Sequence, residues 1–198
     1  MLDDDLSWST HINHVNNKLL KYVSLFYKIR SHLTSECRKA LYFALIYPHL
    51  VYAIELFGNA TARNLKPLQI LQNKLLRILQ LKPSRAHSVD LFTEFDTFRL
   101  CDLYELSLLK LTHKIIHHPA HLPFIFQNYL TFNQDIHCYN TRGKNDIFVH
   151  HIKTNRGSKV FKFRSHQLWN HLPIHIKETD SMPQFWRSIK SLYINKYM

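Results

Sequence analysis

The sequence predicts a mainly α protein: helical hairpins over residues 1–120, then a smaller basic α+β module over 121–198 with a β-hairpin. Three observations carry this. Up to about His117, apolar residues recur every three or four positions in long stretches joined by short connections. After His121, helical spacing gives way to Ile147–Ile152, a β-branched and aromatic run, and to the alternation of Val160–Arg164. Hydrophobic residues make up 45% of the 198, enough for a core and against disorder.

The elements follow in order. Ile12, Val15, Leu19, Tyr22, Phe26, Ile29 and Leu33 form one stripe of a long helix. Thr34-Ser35-Glu36 reads as a cap with an acid in the first turn of a second helix, which runs to about Tyr47. Pro48 kinks it or opens a new helix to Phe57, and Gly58 suits the stop. The span Ala40–Phe57 is apolar but holds Pro48, His49 and Glu55, so it reads as a buried, kinked helix rather than a membrane span. Leu65, Leu68, Leu71, Leu75 and Ile78 stripe a third helix from Thr61 to Gln80, with Gln72 placed outside the stripe. Helices near Ser88–Phe95 and Phe98–His117 follow, and Pro119 and Pro123 bracket a loop. Ile147–Ile152 reads as a strand, Thr154–Gly157 as a turn and Val160–Arg164 as the partner strand; the last stretch also fits a helix to Trp169. Ser181-Met182-Pro183 starts a final helix carrying Phe185, Ile189 and Leu192.

Composition excludes several functions. Only Gly58, Gly143 and Gly157 occur, too scattered for a dinucleotide fingerprint or a P-loop. Cys37, Cys101 and Cys138 form no Cys-x-x-Cys and fit a reducing, intracellular compartment, nucleus or cytoplasm. Twenty-six Lys and Arg against fourteen acids give +12, which points to a polyanion such as nucleic acid. Residues 137–166 hold seven cations and one acid, a net +6.

Catalytic constellations are sparse. Asp3-Asp4-Asp5 is the densest acidic run, and a solvated turn explains it better than a two-metal centre. His113 and His117 have i, i+4 spacing suited to zinc, but no carboxylate follows at a hydrolase spacing; a polar helix end is the stronger reading. Tyr139, Phe148, Phe161 and Phe163 alternate with cations, a pattern that serves base stacking or an inward apolar face equally. Trp169, in Leu168–Pro173, reads as a packing anchor.

Five ordered blocks resemble one family. Leu2-Asp3-Asp4-Asp5-Leu6-Ser7-Trp8-Ser9-Thr10-His11-Ile12 looks like the segment after the catalytic palm in jockey-like non-LTR retrotransposon reverse transcriptases. Tyr47–Tyr52 resembles their helical-thumb signature, and Leu68–Ile78 the leucine- and glutamine-rich helix after it. His137–Arg142 and Leu168–Pro173 are similar to two C-terminal markers. The family's Phe/Tyr-x-Asp-Asp metal motif does not occur in this sequence. The resemblance therefore implies the thumb and post-thumb region of an RNA-directed DNA polymerase. Catalytic residues are expected to be none, and Mg²⁺ is implied only for the palm.

The implied role is to grip template RNA and RNA–DNA hybrid without reading sequence. The expected phosphate contacts are Lys18, Lys21, Lys28, Lys74, Arg77, Arg142, Lys144, Arg156, Lys159, Lys162 and Arg164. Neither a membrane nor a small-molecule substrate is expected. The alternatives are a basic helical module whose apolar groove holds a partner helix, and a genomic relic without selected activity.

Overall fold

A stripe of large apolar residues at helical spacing must leave water, and that requirement builds the first element. A computed structural model describes residues 7–126, 129–136, 143–154, 157 and 160–195. Helix α1 spans Ser9–Ile29, with Ile12, Val15, Leu19 and Phe26 buried. The cap at Thr34 is as expected: its hydroxyl accepts the Cys37 N–H at 3.3 Å and opens α2 (Ser35–Leu41). A backbone hydrogen bond and the Thr34 hydroxyl hold the Glu36 carboxyl below its usual range.

The kink expected at Pro48 is a π-helical turn. The chain runs from α2 through Tyr42–Ile46 in π geometry into α3 (Tyr47–Val51), and the Tyr47 N–H reaches back five residues to the Tyr42 carbonyl. Proline has no N–H for the carbonyl four residues back and crowds it, so the turn widens just before Pro48. Ala53, in the left-handed region at φ 57°, separates α3 from α4 (Ile54–Phe57). Tyr42, Ile46, Leu50, Ile54 and Phe57 are all fully buried. Among the described residues no helix is long and apolar enough to cross a membrane. Gly58 is needed for a close approach rather than an unusual φ: a Cβ there would clash with the Tyr104 ring and the Ile54 carbonyl.

Three longer helices follow: α5 (Ala62–Leu79), α6 (Ser88–Phe95) and α7 (Leu100–His117). Both α5 and α6 end on a left-handed residue that is not glycine, Leu81 at φ 57° and Asp96 at φ 55°. In each, the next N–H reaches back five residues, Lys82 to the Arg77 carbonyl and Thr97 to the Phe92 carbonyl, the bond that closes a Schellman turn.

The chain divides into two compact units, up to Tyr104 and from Glu105, so the division falls inside α7. In the first unit α1 and α5 are the principal packed pair. They start side by side, with Asn64 Nδ2 donating to the Ser7 carbonyl at 3.1 Å. Gln72, expected outside the stripe, is completely buried in this core. Its amide donates to the Tyr42 hydroxyl at 3.0 Å and the Phe98 carbonyl at 2.9 Å, and its Oε1 accepts from Gln69 Nε2. Gln69 Oε1 in turn accepts the Leu100 N–H at 2.8 Å. The relay ties the α6–α7 link to α5 with its polar atoms satisfied. Burial pushes the Tyr42 hydroxyl up to about 12, against the opposing pull of its Thr97 and Gln72 hydrogen bonds.

The second unit holds the rest of α7, then α8 (Asn133–Ile136), α9 (Phe161–Asn170), α10 (Ile174–Lys177) and α11 (Met182–Asn195). The expected α+β module with a β-hairpin is not found among the described residues. Residues Phe161–Arg164 open α9 instead, and among the described residues the only bridge is one antiparallel pair, Phe132 with Ile147. The reason lies in α9. Helical spacing buries Ser165, His166 and Trp169 together, which outweighs the short alternation before them. Asn170 then takes the place of a partner strand: its Oδ1 accepts the Ile147 N–H at 2.9 Å and its Nδ2 donates to the Ile147 carbonyl at 2.8 Å. His166 Nδ1 donates to the Phe148 carbonyl at 3.0 Å, and the Phe148 N–H goes to the Thr131 carbonyl at 2.8 Å. The backbone groups of Ile147 and Phe148 are thus satisfied without a second strand.

Candidate nucleic-acid interface

The helical spacing of α5 puts Arg63, Lys66, Ile70 and Lys74 on one face, because steps of three and four residues return to the same side. Where that face meets α1 there is a groove of about 470 Å³ lined by Asn16, Leu20, Arg63, Lys66, Pro67, Ile70, Leu71 and Lys74. Its floor is apolar. Leu20 is 46% exposed and Ile70 57%, high values for large aliphatic residues. Its rim carries three cations, and none of Arg63, Lys66 and Lys74 has an acidic partner among the described residues. Pro67 sits in the second turn of α5 and withholds the N–H that would bond the Arg63 carbonyl.

The expected contact residues are distributed unevenly. Lys74 lies on this rim. Lys18, Lys21 and Lys28 are exposed on α1 but are not among the groove's lining; Lys21 and Lys28 project opposite the buried stripe. Arg77 is turned to the chain itself, its Nε and Nη2 donating to the Ala86 carbonyl at 3.3 and 3.2 Å.

In the second unit Lys144 is exposed. Lys162 stands over the Tyr129 ring at 5.5 Å, and burial raises the Tyr129 hydroxyl's pKa. Arg164 pairs with Glu105, whose other oxygen accepts the Tyr193 hydroxyl at 2.8 Å. Arg142, Arg156 and Lys159 lie outside the described residues, as do Tyr139 and Asp3 to Asp5.

Arg63 and Lys66 are the groove cations the sequence reading passed over. Their spacing to Lys74 was available as a signal, since 63, 66 and 74 fall on one side of a helical wheel.

The histidine cluster does not gather as metal ligands. His113 Nε2 donates to the Thr179 carbonyl at 2.6 Å, His117 Nε2 to the Lys177 carbonyl at 2.9 Å, and His118 Nε2 to the Asp180 carbonyl at 3.0 Å. Among the described residues no group of three or more His, Cys, Asp or Glu side chains is placed to hold a metal ion. Trp169 is buried beside Phe185, with ring centroids 5.7 Å apart, as an anchor of the second unit. No family model, no curated protein and no solved structure matches this chain, so the groove and its charges are what argue for a function.

Proposed function

We propose that this chain binds nucleic-acid backbone without sequence preference, as the thumb and post-thumb region of a non-LTR retrotransposon reverse transcriptase. The observation that carries the reading is the α1–α5 groove, whose rim holds three cations with no acidic partner among the described residues. Cations along one helix face release counterions from successive phosphates, while an apolar floor offers contact to sugar faces. The net charge of +12 and the five sequence blocks support the same reading.

One observation favours a second reading. An apolar floor with Leu20 and Ile70 this exposed also suits an amphipathic partner helix with acidic flanks.

Fluorescence anisotropy with a labelled RNA–DNA hybrid over a salt series separates them. Each phosphate contact contributes roughly −0.9 to the slope of log K against log salt on a duplex. Replacing Arg63, Lys66 and Lys74 together with glutamine is expected to flatten the slope by about 2 to 3 units. An unchanged slope in the triple variant would take the groove out of the nucleic-acid path and leave the partner-helix reading.

A further inference from the structure

We propose that His113, His117 and His118 form an acid-released latch that holds the linker Lys177–Asp180, and with it the start of α11, against the C-terminal part of α7. Three histidines of one helix end bond three carbonyls within four residues of the linker. The central ring is the one with most to lose on protonation. His113 is fully buried, stacked on Phe185 at 4.2 Å and tilted against His117 at 4.5 Å. Its Nε2–H is committed to Thr179, and its Nδ1 is buried without a hydrogen-bond partner.

A second proton must go to that Nδ1. It would create a buried cation whose new N–H has no acceptor, next to other imidazoles. Burial accordingly holds the His113 pKa below its ordinary value, with the neighbouring His117 and His118 acting in the same direction; the Thr179 bond and Asp180 oppose it.

The groups around the latch are few. His117 and His118 share the helix with His113, and His121 lies 6.2 Å from His118. Across from them, Asp180 Oδ1 meets His117 Nδ1 at 2.8 Å. The Lys177 ammonium is turned away, to Asp146 and the Asn170 carbonyl. The ring of His117 therefore faces oxygen at both nitrogens, while His113 has an acceptor at one only. A proton on the unpartnered Nδ1 of His113 puts a cation into the apolar stack that seats α11, and that stack must open for the new N–H to reach water.

Hydrogen exchange on the whole chain between pH 7.5 and 4.5, corrected for intrinsic exchange, tests this. Protection of residues 177–190 is expected to fall with pH by up to about tenfold per unit, the linkage of one proton. Protection of α5 should not follow. In His113→Gln, which keeps a donor for Thr179 and cannot charge, the fall should disappear; in His166→Gln it should remain. The NMR titration of the His113 ring in the unmodified protein gives a readout that needs no variant, and it should coincide with the loss of protection. Protection independent of pH, a fall shared equally by α5, a fall that persists in His113→Gln, or a His113 midpoint at or above that of a free histidine would each overturn the latch.

Discussion

Gln72 shows how a single side chain can organise a core while looking like a surface residue. Its position lies within the arc spanned by Leu68, Leu71, Leu75 and Leu76, so helical geometry alone buries it. Polarity argued for solvent, and nothing in the sequence announces the Tyr42 hydroxyl and Phe98 carbonyl that satisfy it. Removing the amide leaves a buried carbonyl unpaired, at about 1–3 kcal/mol, and adds a void. Gln72→Ala is therefore expected to cost at least about 2 kcal/mol, in the range of the about 2–5 kcal/mol for Leu75→Ala. Urea denaturation decides; a loss below about half a kilocalorie for Gln72→Ala, typical of a surface position, would show that the relay contributes little. His166 makes a second point at this scale. It is buried, donates Nδ1–H to Phe148 and has no partner at Nε2. Burial lowers its pKa from the ordinary 6.5, with the Phe148 bond opposing. A depressed histidine means the unfolded chain takes up the proton first. Its stabilising contribution is then complete above about pH 6.5 and is lost as the pH falls toward the folded value. His166→Gln, which retains a donor, should lose less stability than the parent between pH 7.5 and 5 in denaturant titrations. Equal losses would place the acid sensitivity elsewhere.

Helices with strong apolar periodicity and clear caps were legible at the scale of elements: α1, the Thr34 cap, α5 and α11 stand where the spacing put them. What could not be read was the partner of the extended segment after Asp146. A sequence reports the alternation of Val160–Arg164, but not that Asn170, a helix later, supplies both backbone bonds of Ile147. Asn170→Asp separates the two bonds, since a carboxylate still accepts from the Ile147 N–H and donates nothing to its carbonyl. With Ile147 buried, the loss is expected to be about 1–3 kcal/mol, and Asn170→Ala should cost at least as much. Aspartate behaving like the parent in denaturation would show that the carbonyl bond contributes nothing. The C-terminus of α5 offers the opposite sign. Leu81 holds a left-handed φ of 57°, where a Cβ costs about 1–2 kcal/mol, and the residue is about half exposed. Leu81→Gly should raise stability by about 0.5–1 kcal/mol after the extra unfolded-state entropy of glycine is subtracted. A destabilised Leu81→Gly would mean that the leucine side chain packs more than it strains.

For the whole molecule, the question is which of its many cations are free to meet a polyanion. Composition gives the total of +12 but not the pairings. Several acids are already committed: Glu105 to Arg164, Asp146 to Lys177 and Glu94 to Lys82. The basic stretch 137–166 looked like the strongest footprint, yet Arg164 within it is neutralised locally. In the α1–α5 groove, from a less conspicuous stretch, Arg63, Lys66 and Lys74 have no acidic partner among the described residues. Local pairing removes a cation from the counterion-release count without changing the formal charge. Arg164→Gln is therefore expected to leave the salt slope for an RNA–DNA hybrid within about half a unit of the parent while lowering stability, because Glu105 loses its guanidinium. Arg63→Gln alone should reduce the slope by up to about 1 and leave stability unchanged. Exchanging the probe sequence should leave both affinities in the same ratio, since backbone contacts carry no base information. The two variants form a crossed test read in one salt series and one denaturation series. If Arg164→Gln flattened the slope and Arg63→Gln did not, the polyanion would be held by the second unit. The ion pair with Glu105 would then have to open on binding, and the groove would be left to an apolar partner.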